Sequence, residues 1–158
     1  SQQITLSKET IDLYYMLVQL SDELSPVFAP RGNTVALHLA EDLTVEADPE
    51  KLARVFSNIL KNAASYSYPH TGITISAGKS EHEVIIQFQN SGEDIPNEAL
   101  ESLFDKFYRA DKSRSSDTGG TGLGLAIAKE IVVLHGGTIS AASKNHVVTF
   151  TISLPLAH

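Results

Sequence analysis

The chain has 158 residues, 42% of them hydrophobic, which suits one domain able to build a core without staples. It contains no cysteine, which excludes disulfides, thiolate metal sites and cysteine nucleophiles. Its formal net charge of −7 speaks against a nucleic-acid surface or an anionic-membrane surface, so a polyanionic ligand would need a local site made of a metal ion, a basic loop or backbone N–H groups. No apolar run approaches the ~18–20 residues of a membrane span, and the polar opening Ser1-Gln2-Gln3 does not read as a signal peptide.

Apolar side chains at Ile11, Leu13, Tyr14, Leu17, Val18, Leu20 and Leu24 predict one amphipathic helix over residues 9–28, ended by Pro26 and Pro30. Residues 34–39 alternate and read as a strand; a second short strand follows at 43–46, with Glu41-Asp42 as the turn between them. Asp48 is a plausible N-cap and Pro49 sits at the first helical position, where a missing N–H costs nothing. Leu52, Val55, Phe56, Ile59, Leu60 and Ala63 then recur on one helical face until Pro69 breaks the pattern. Strands are expected at 73–77 and 84–88, joined by a hairpin over 79–83.

From Asn90 to Gly122 the chain is rich in Gly, Ser, Asp, Lys and Arg, with one short helical piece near 97–104. So long a loop in a compact domain is functional or disordered, and 97–121 is expected to form a mobile lid. A last helix over 123–135 stops at Gly136-Gly137, and strands at 138–142 and 147–154 form a closing hairpin. This order predicts an α/β (α+β) sandwich, a mixed and mostly antiparallel sheet covered by helices on one face. Residues 1–8 read as residual linker and 9–158 as the domain.

Four constellations stand out. Asn58 and Asn62 lie four apart and project from one face of the long helix, a side continued by Ser65 and Tyr66. Asparagine is a middling helix former; the pair is either an exposed polar face or a source of amide oxygens for magnesium and phosphate. Gly119-Gly120-Thr121-Gly122-Leu123-Gly124-Leu125 precedes an apolar helix, which makes it a flexible hinge or a phosphate cradle at a helix N-terminus. It leaves no strand, as a Rossmann loop would, and lacks the Gly-Lys-Ser/Thr of a Walker loop. Asn90-Ser91-Gly92-Glu93-Asp94-Ile95 directly follows a strand. Phe104-Asp105-Lys106-Phe107-Tyr108-Arg109 is followed by the basic Lys112 and Arg114. Alone, these last two read as a turn and as a loop anchored by aromatics.

Taken in order, the four are similar to the motifs of the catalytic ATP-binding domain of bacterial sensor histidine kinases, within the superfamily that also holds gyrase and MutL. NILKNAASYS resembles the asparagine box, NSGEDIP the first glycine box, FDKFYR the phenylalanine box, GGTGLGLAI the second glycine box and HGGTI the tail. The resemblance implies a Bergerat-type fold with ATP and Mg2+ held between sheet-side loops and a lid. It implies that Asn62 binds magnesium, that Asn58 contacts phosphate or a magnesium-bound water, and that Tyr66 lies beside the nucleotide. Asn90 takes the position that reads the adenine amino group, Gly92 lets the backbone pass the base, and Arg109 approaches the terminal phosphates. Gly120, Gly122 and Gly124 shape the phosphate end and Leu123 walls the pocket, while Ile95, Phe107, Tyr108, Thr121 and Leu125 complete the nucleotide-binding set. The implied partners are a histidine-bearing dimerisation domain of the same kinase and a cognate response regulator, with no nucleic acid. The isolated domain is expected to be a monomer, the cytoplasmic part of a membrane-anchored sensor.

Three residues depart from the pattern: Asn90 replaces the adenine-reading aspartate, Asp94 the second glycine of its box, and Ser65 a common lysine. Each points to weaker nucleotide binding; an amide oxygen accepts from the adenine amino group without charge assistance. Asn58 stands where superfamily ATPases carry a glutamate base, and an amide accepts no proton at neutral pH, so phosphoryl transfer to a separate nucleophile is favoured over hydrolysis. That nucleophile is not among His38, His70, His82, His135, His146 and His158. His82-Glu83 imitates an acceptor but reads as a surface turn, and His135 reads as a helix C-terminal residue favoured by the dipole. An ATPase of the same fold, and a nucleotide-sensing or docking module without catalysis, remain the alternatives.

Overall fold

The computed structural model describes residues 3–106 and 124–157. The first departure from expectation comes at once. Glu9–Asp12 is a strand, β1, and the helix α1 begins only at Leu13 (Leu13–Glu23). β1 pairs antiparallel with β3 (Thr44–Ala47), with Ile11 opposite Val45. The Asp12 carboxylate ends the strand and starts the helix together, accepting from the N–H of Tyr14 at 3.0 Å and of Leu43 at 3.2 Å. A helical apolar pattern is thus overridden by a strand partner more than thirty residues away, which no local periodicity encodes. Pro26 does not simply end the helix either: it lies in the first turn of a second short one, α2 (Ser25–Phe28), where its missing N–H is harmless.

The remaining elements fall where predicted, mostly longer at their ends. β2 is Thr34–Leu39, α3 Pro49–Tyr66, β4 Gly72–Lys79 and β5 Glu83–Ser91; α4 is Asn97–Ser102, α5 Gly124–Leu134, β6 Thr138–Lys144 and β7 Val147–Pro155. The main sheet runs β2-β4-β5-β7-β6, with β2 parallel to β4 and every other pair antiparallel. Strict alternation gives it two faces. Val84, Ile86, Phe88 and Asn90 of β5 and Val148, Phe150, Ile152 and Leu154 of β7 point inwards, with Phe88 opposite Phe150. The outer face is polar and laced by side chains, Gln87 to Thr151 and Gln89 to Thr149. One buried face and one solvated face is the usual economy of an antiparallel sheet.

The helices cover the inner face. Leu52, Val55, Phe56, Ile59 and Leu60 of α3 are fully buried, and Phe56 meets Phe88 with ring centroids 5.8 Å apart. Each such side chain contributes roughly 1.5–3 kcal/mol by leaving water. Ala128, Ile131 and Val132 of α5 pack beside them. His82 lies exposed in the β4–β5 turn, as read from the sequence.

The two helices are joined at one end by a polar knot. Asp48 caps α3 by accepting from Lys51 N–H at 3.1 Å, and its other oxygen accepts from Ser7 N–H at 2.8 Å. The Asp48 N–H donates to His135 Nε2 at 3.0 Å, while His135 Nδ1 lies 2.8 Å from the Ile131 carbonyl. An N–H can only donate and a carbonyl only accept, so Nε2 is the acceptor and Nδ1 carries the proton. His135 is therefore a buried, neutral bridge, which corrects its reading as a charge that answers the helix dipole. The Ser7 N–H, with burial opposing and the Lys51 N–H adding to it, holds the Asp48 carboxyl below its ordinary value. A depressed carboxyl stabilises the fold above its unfolded pKa, and that contribution is lost as pH falls through the folded one. Asp48→Ala is expected to lower the unfolding free energy by about 1 kcal/mol at neutral pH. In urea titrations the gap from wild type should narrow as the pH drops below ~4.

Candidate active site

The C-terminal half of α3 forms one wall of a cleft of about 700 Å³. Its apolar stripe is committed to the sheet, so the flanking Asn62, Ser65 and Tyr66 turn towards the cleft. The opposite wall is the segment after β5, including Ile95, and the floor is the inner face of the sheet at Asn90, Val148 and Phe150. Four predicted site residues, Asn62, Tyr66, Asn90 and Ile95, therefore border a single space.

Asn90 is the most telling of them. Strand alternation puts it on the inner face, two residues after Phe88, and it is 6% exposed. Among the described residues nothing hydrogen-bonds its side-chain amide. The residue is buried but its amide is not an enclosed orphan, and it borders a cleft large enough to hold a group that would bond it.

Gly92 sits at a close crossing. A Cβ built on it would lie 2.5 Å from the Tyr66 carbonyl oxygen, so only glycine lets the loop pass under the end of α3. The crossing is tied by the Ser67–Gly92 bridge and by Tyr68 N–H donating to Ser91 O at 2.8 Å. Asn58 faces elsewhere: its Nδ2 donates to the Gly124 carbonyl at 3.1 Å, linking α3 to the first turn of α5, and Leu125 beside it packs on the core. Phe107, Tyr108, Arg109, Gly120, Thr121, Gly122 and Leu123 lie outside the described residues, as does most of the stretch expected to be a lid.

Several cleft residues carry no signal of their own in the sequence. Arg31 ends a short 3-10 turn, donates from Nη2 to Ser67 O at 2.7 Å, and keeps a buried Nε with no described partner. Only the parallel pairing of β2 with β4 carries it to the end of α3. Val148 and Phe150 look like ordinary core positions of a strand. Tyr68 and Glu93 stand at the mouth, where burial foremost, then the Glu93 carboxylate, raises the Tyr68 hydroxyl above its ordinary value.

No group of three His, Asp or Glu among the described residues forms a metal cluster. Asn62 brings one amide oxygen to the cleft wall, a hard donor of the kind magnesium takes alongside other oxygens and waters.

A helix-covered mixed sheet with a cleft between α3 and the loop after β5 defines the class, and comparison with known proteins agrees. The family described as histidine kinase-, DNA gyrase B- and HSP90-like ATPase matches residues 47–158. The chain is 57% identical to the sensor protein VanS of Enterococcus faecium over 154 residues, 98% of this chain and 40% of that one. With VanSC of Enterococcus gallinarum the identity is 43% over 152 residues, 96% of this chain and 42% of that one. The catalytic domain of the histidine kinase ThkA, in a nucleotide-free form, superposes with a TM-score of 0.83 at 26% identity, covering 94% of this chain and 95% of that one. A structure of ThkA with the response regulator protein TrrA has the same fold, at a TM-score of 0.82 and 24% identity over 96% of this chain and 42% of that one.

The chain belongs to the histidine kinase-, DNA gyrase B- and HSP90-like ATPase family, and its sequence relatives are sensor kinases. It spans about two fifths of the length of the two VanS relatives.

The Gly92 crossing can be tested without any ligand. Gly92→Ala is expected to cost about 1–3 kcal/mol of stability, because the clash is with backbone rather than with a flexible side chain. Amide exchange should quicken at Ser67 and Tyr68 before it quickens in β4.

Proposed function

We propose that the chain binds Mg-ATP in the α3 cleft and donates the γ-phosphoryl group to a histidine on a separate dimerisation domain of the same kinase. The observation that carries this reading is Asn90, a buried strand residue whose side chain borders the cleft floor with no described partner, across from the side of α3 that bears Asn62 and Tyr66. An adenine amino group would donate to the Asn90 oxygen. Asn62 would give its oxygen to magnesium, and Asn58, held to Gly124, would meet a phosphate or a magnesium-bound water. Arg109 and the second glycine box would neutralise the terminal phosphates.

In the transfer the bond from the γ-phosphorus to its bridging oxygen breaks, a bond to an imidazole nitrogen forms, ADP leaves, and the imidazole proton passes to solvent. Little covalent chemistry is asked of the domain; positioning and charge neutralisation carry the step. Asn58 supports this direction, since it cannot deprotonate an attacking water. The identity to VanS supports a two-component system controlling vancomycin resistance, and the ThkA–TrrA complex supports a response regulator as partner. Residues 1–8 belong in this reading to the linker from the acceptor domain, and the whole kinase is membrane-anchored with this part in the cytoplasm. No helix among the described residues is long and apolar enough to cross a membrane.

Calorimetric titration with ATP, with and without magnesium, tests the binding. Asn62→Ala should weaken Mg-ATP at least tenfold more than metal-free ATP; equal losses would remove Asn62 as the metal ligand. Asn90→Asp should tighten ATP, since a charged acceptor forms a hydrogen bond about twice as strong. Incubated alone with γ-labelled ATP and magnesium, the chain should neither label itself nor release phosphate at an appreciable rate. Adding the histidine-bearing domain should give an acid-labile, base-stable label by turning a rare encounter into a positioned one. Steady phosphate release abolished by Asn58→Ala would favour an ATPase, and no nucleotide binding at millimolar concentration would favour a docking module.

A further inference from the structure

The hairpin between β6 and β7 turns at Asn145-His146, both with left-handed backbone at φ 54° and 63°, the geometry of a tight two-residue turn. An exposed hairpin tip is ordinarily free to vary. This one is bonded to the segment after β5 from both directions: Gly92 N–H donates to the His146 carbonyl at 3.0 Å, and His146 N–H donates to Asp94 Oδ1 at 2.7 Å. Nearby, Ile95 N–H donates to Ser143 Oγ at 2.8 Å. Asp94, the residue that departs from the family's glycine, thus spends its carboxylate on the turn.

The His146 side chain makes one further contact. Its Nδ1 lies 3.0 Å from the Tyr68 hydroxyl, with ring centroids 6.0 Å apart. Burial foremost, and then the Glu93 carboxylate, holds the Tyr68 hydroxyl above its ordinary value. Tyr68, Glu93 and Asp94 all border the cleft whose floor includes Asn90.

We infer that His146 is a positioning residue for the base end of the nucleotide site: without touching the ligand, its imidazole holds Tyr68 against the base, while its main chain ties the turn to Gly92 and Asp94 of the neighbouring loop. The inference rests on the nucleotide reading of the cleft. Asp94 and His146 then act as one unit, a turn-borne brace in place of the backbone freedom that a second glycine would give. By itself an aspartate would only add negative charge to a site for a polyanion; here its carboxylate is occupied by the His146 N–H.

The test uses His146→Gly, which keeps the left-handed turn and removes only the ring, and Tyr68→Phe, which removes the hydroxyl that the ring holds. Dissociation constants are measured for ATP, for adenosine and for inorganic tripolyphosphate with magnesium, and thermal midpoints are recorded alongside. Each variant should weaken ATP and adenosine by the same factor, about three- to tenfold, as expected for one lost hydrogen bond. Tripolyphosphate affinity should stay unchanged, and the double variant should lose no more than the worse single one. Wild type that binds ATP together with variants that bind adenosine equally well overturns this inference alone. Parallel loss of tripolyphosphate overturns it too, because that marks a general structural role. Wild type that fails to bind ATP overturns the nucleotide reading and this inference with it.

Discussion

The packing of one helix on one strand sets the geometry of everything else. α3 buries Leu52, Val55, Phe56, Ile59 and Leu60 completely, and Phe56 lies against Phe88 of β5. That stripe fixes the rotation of the helix about its axis. The amides of Asn58 and Asn62 stand just beside it, so burial of the apolar face decides where they point. β5 works the same way from the other side. The alternation that buries Val84, Ile86 and Phe88 also turns Asn90 inwards at the next step, towards the cleft. Two periodicities, 3.6 and 2, meet at one ring pair and so bring Asn62 of α3 and Asn90 of β5 to the same cleft, with Asn58 one turn back turned to α5. A rotation of α3 or a one-residue slip of β5 would disperse them.

The ends of α3 are held by different chemistry. At its start, Asp48 and His135 bind the N-cap to the end of α5 and, through Ser7, to the N-terminal segment. Near its middle, Asn58 reaches the first turn of α5. The helix bearing the candidate metal ligand and the helix that follows the second glycine box are thereby fixed to each other at two levels. Buried polar groups of this kind must all be satisfied, and in the knot each has its partner. The cleft is the opposite case. At its edge the buried Arg31 Nε lacks a described partner, Asn90 borders the open space, and the Tyr68 hydroxyl is raised by burial and a nearby carboxylate. A second enclosed atom without a described partner, Asn33 Oδ1, lies outside the cleft lining.

Much of this was legible in the residues. Pro49 after Asp48 marked the start of α3, and the pattern from Leu52 to Ala63 marked its buried face, because caps and periodicity are local. The alternation of β5 and β7 was legible for the same reason. The first strand was not. Ile11, Leu13, Tyr14 and Leu17 satisfy a helical pattern, and only Val45 and the two acceptor bonds of Asp12 turn Glu9–Asp12 into a strand. Arg31 and Tyr68 could not be recognised either: a loop arginine and a loop tyrosine are common, and their neighbours at the end of α3 arrive through sheet pairing. His135 was visible as a helix-end residue, yet its neutral state depends on an N–H of Asp48 that is 87 positions away.

From β2 onwards the sequence by itself determined the order of elements and their inward faces, and throughout it showed an asparagine box, two glycine boxes and a phenylalanine box in the spacing of the kinase family. Those features are written in short-range patterns, and short-range patterns act through local backbone preference and side-chain period. Tertiary structure alone decided that Asn90 would border a cleft opposite Asn62 and Tyr66, and that Gly92 would cross under the Tyr66 carbonyl. It also decided that Asp94 would be engaged by a hairpin tip some fifty residues away. Each of these depends on which distant groups arrive beside a residue, and that is settled by sheet register and helix packing, which no single stretch of chain contains.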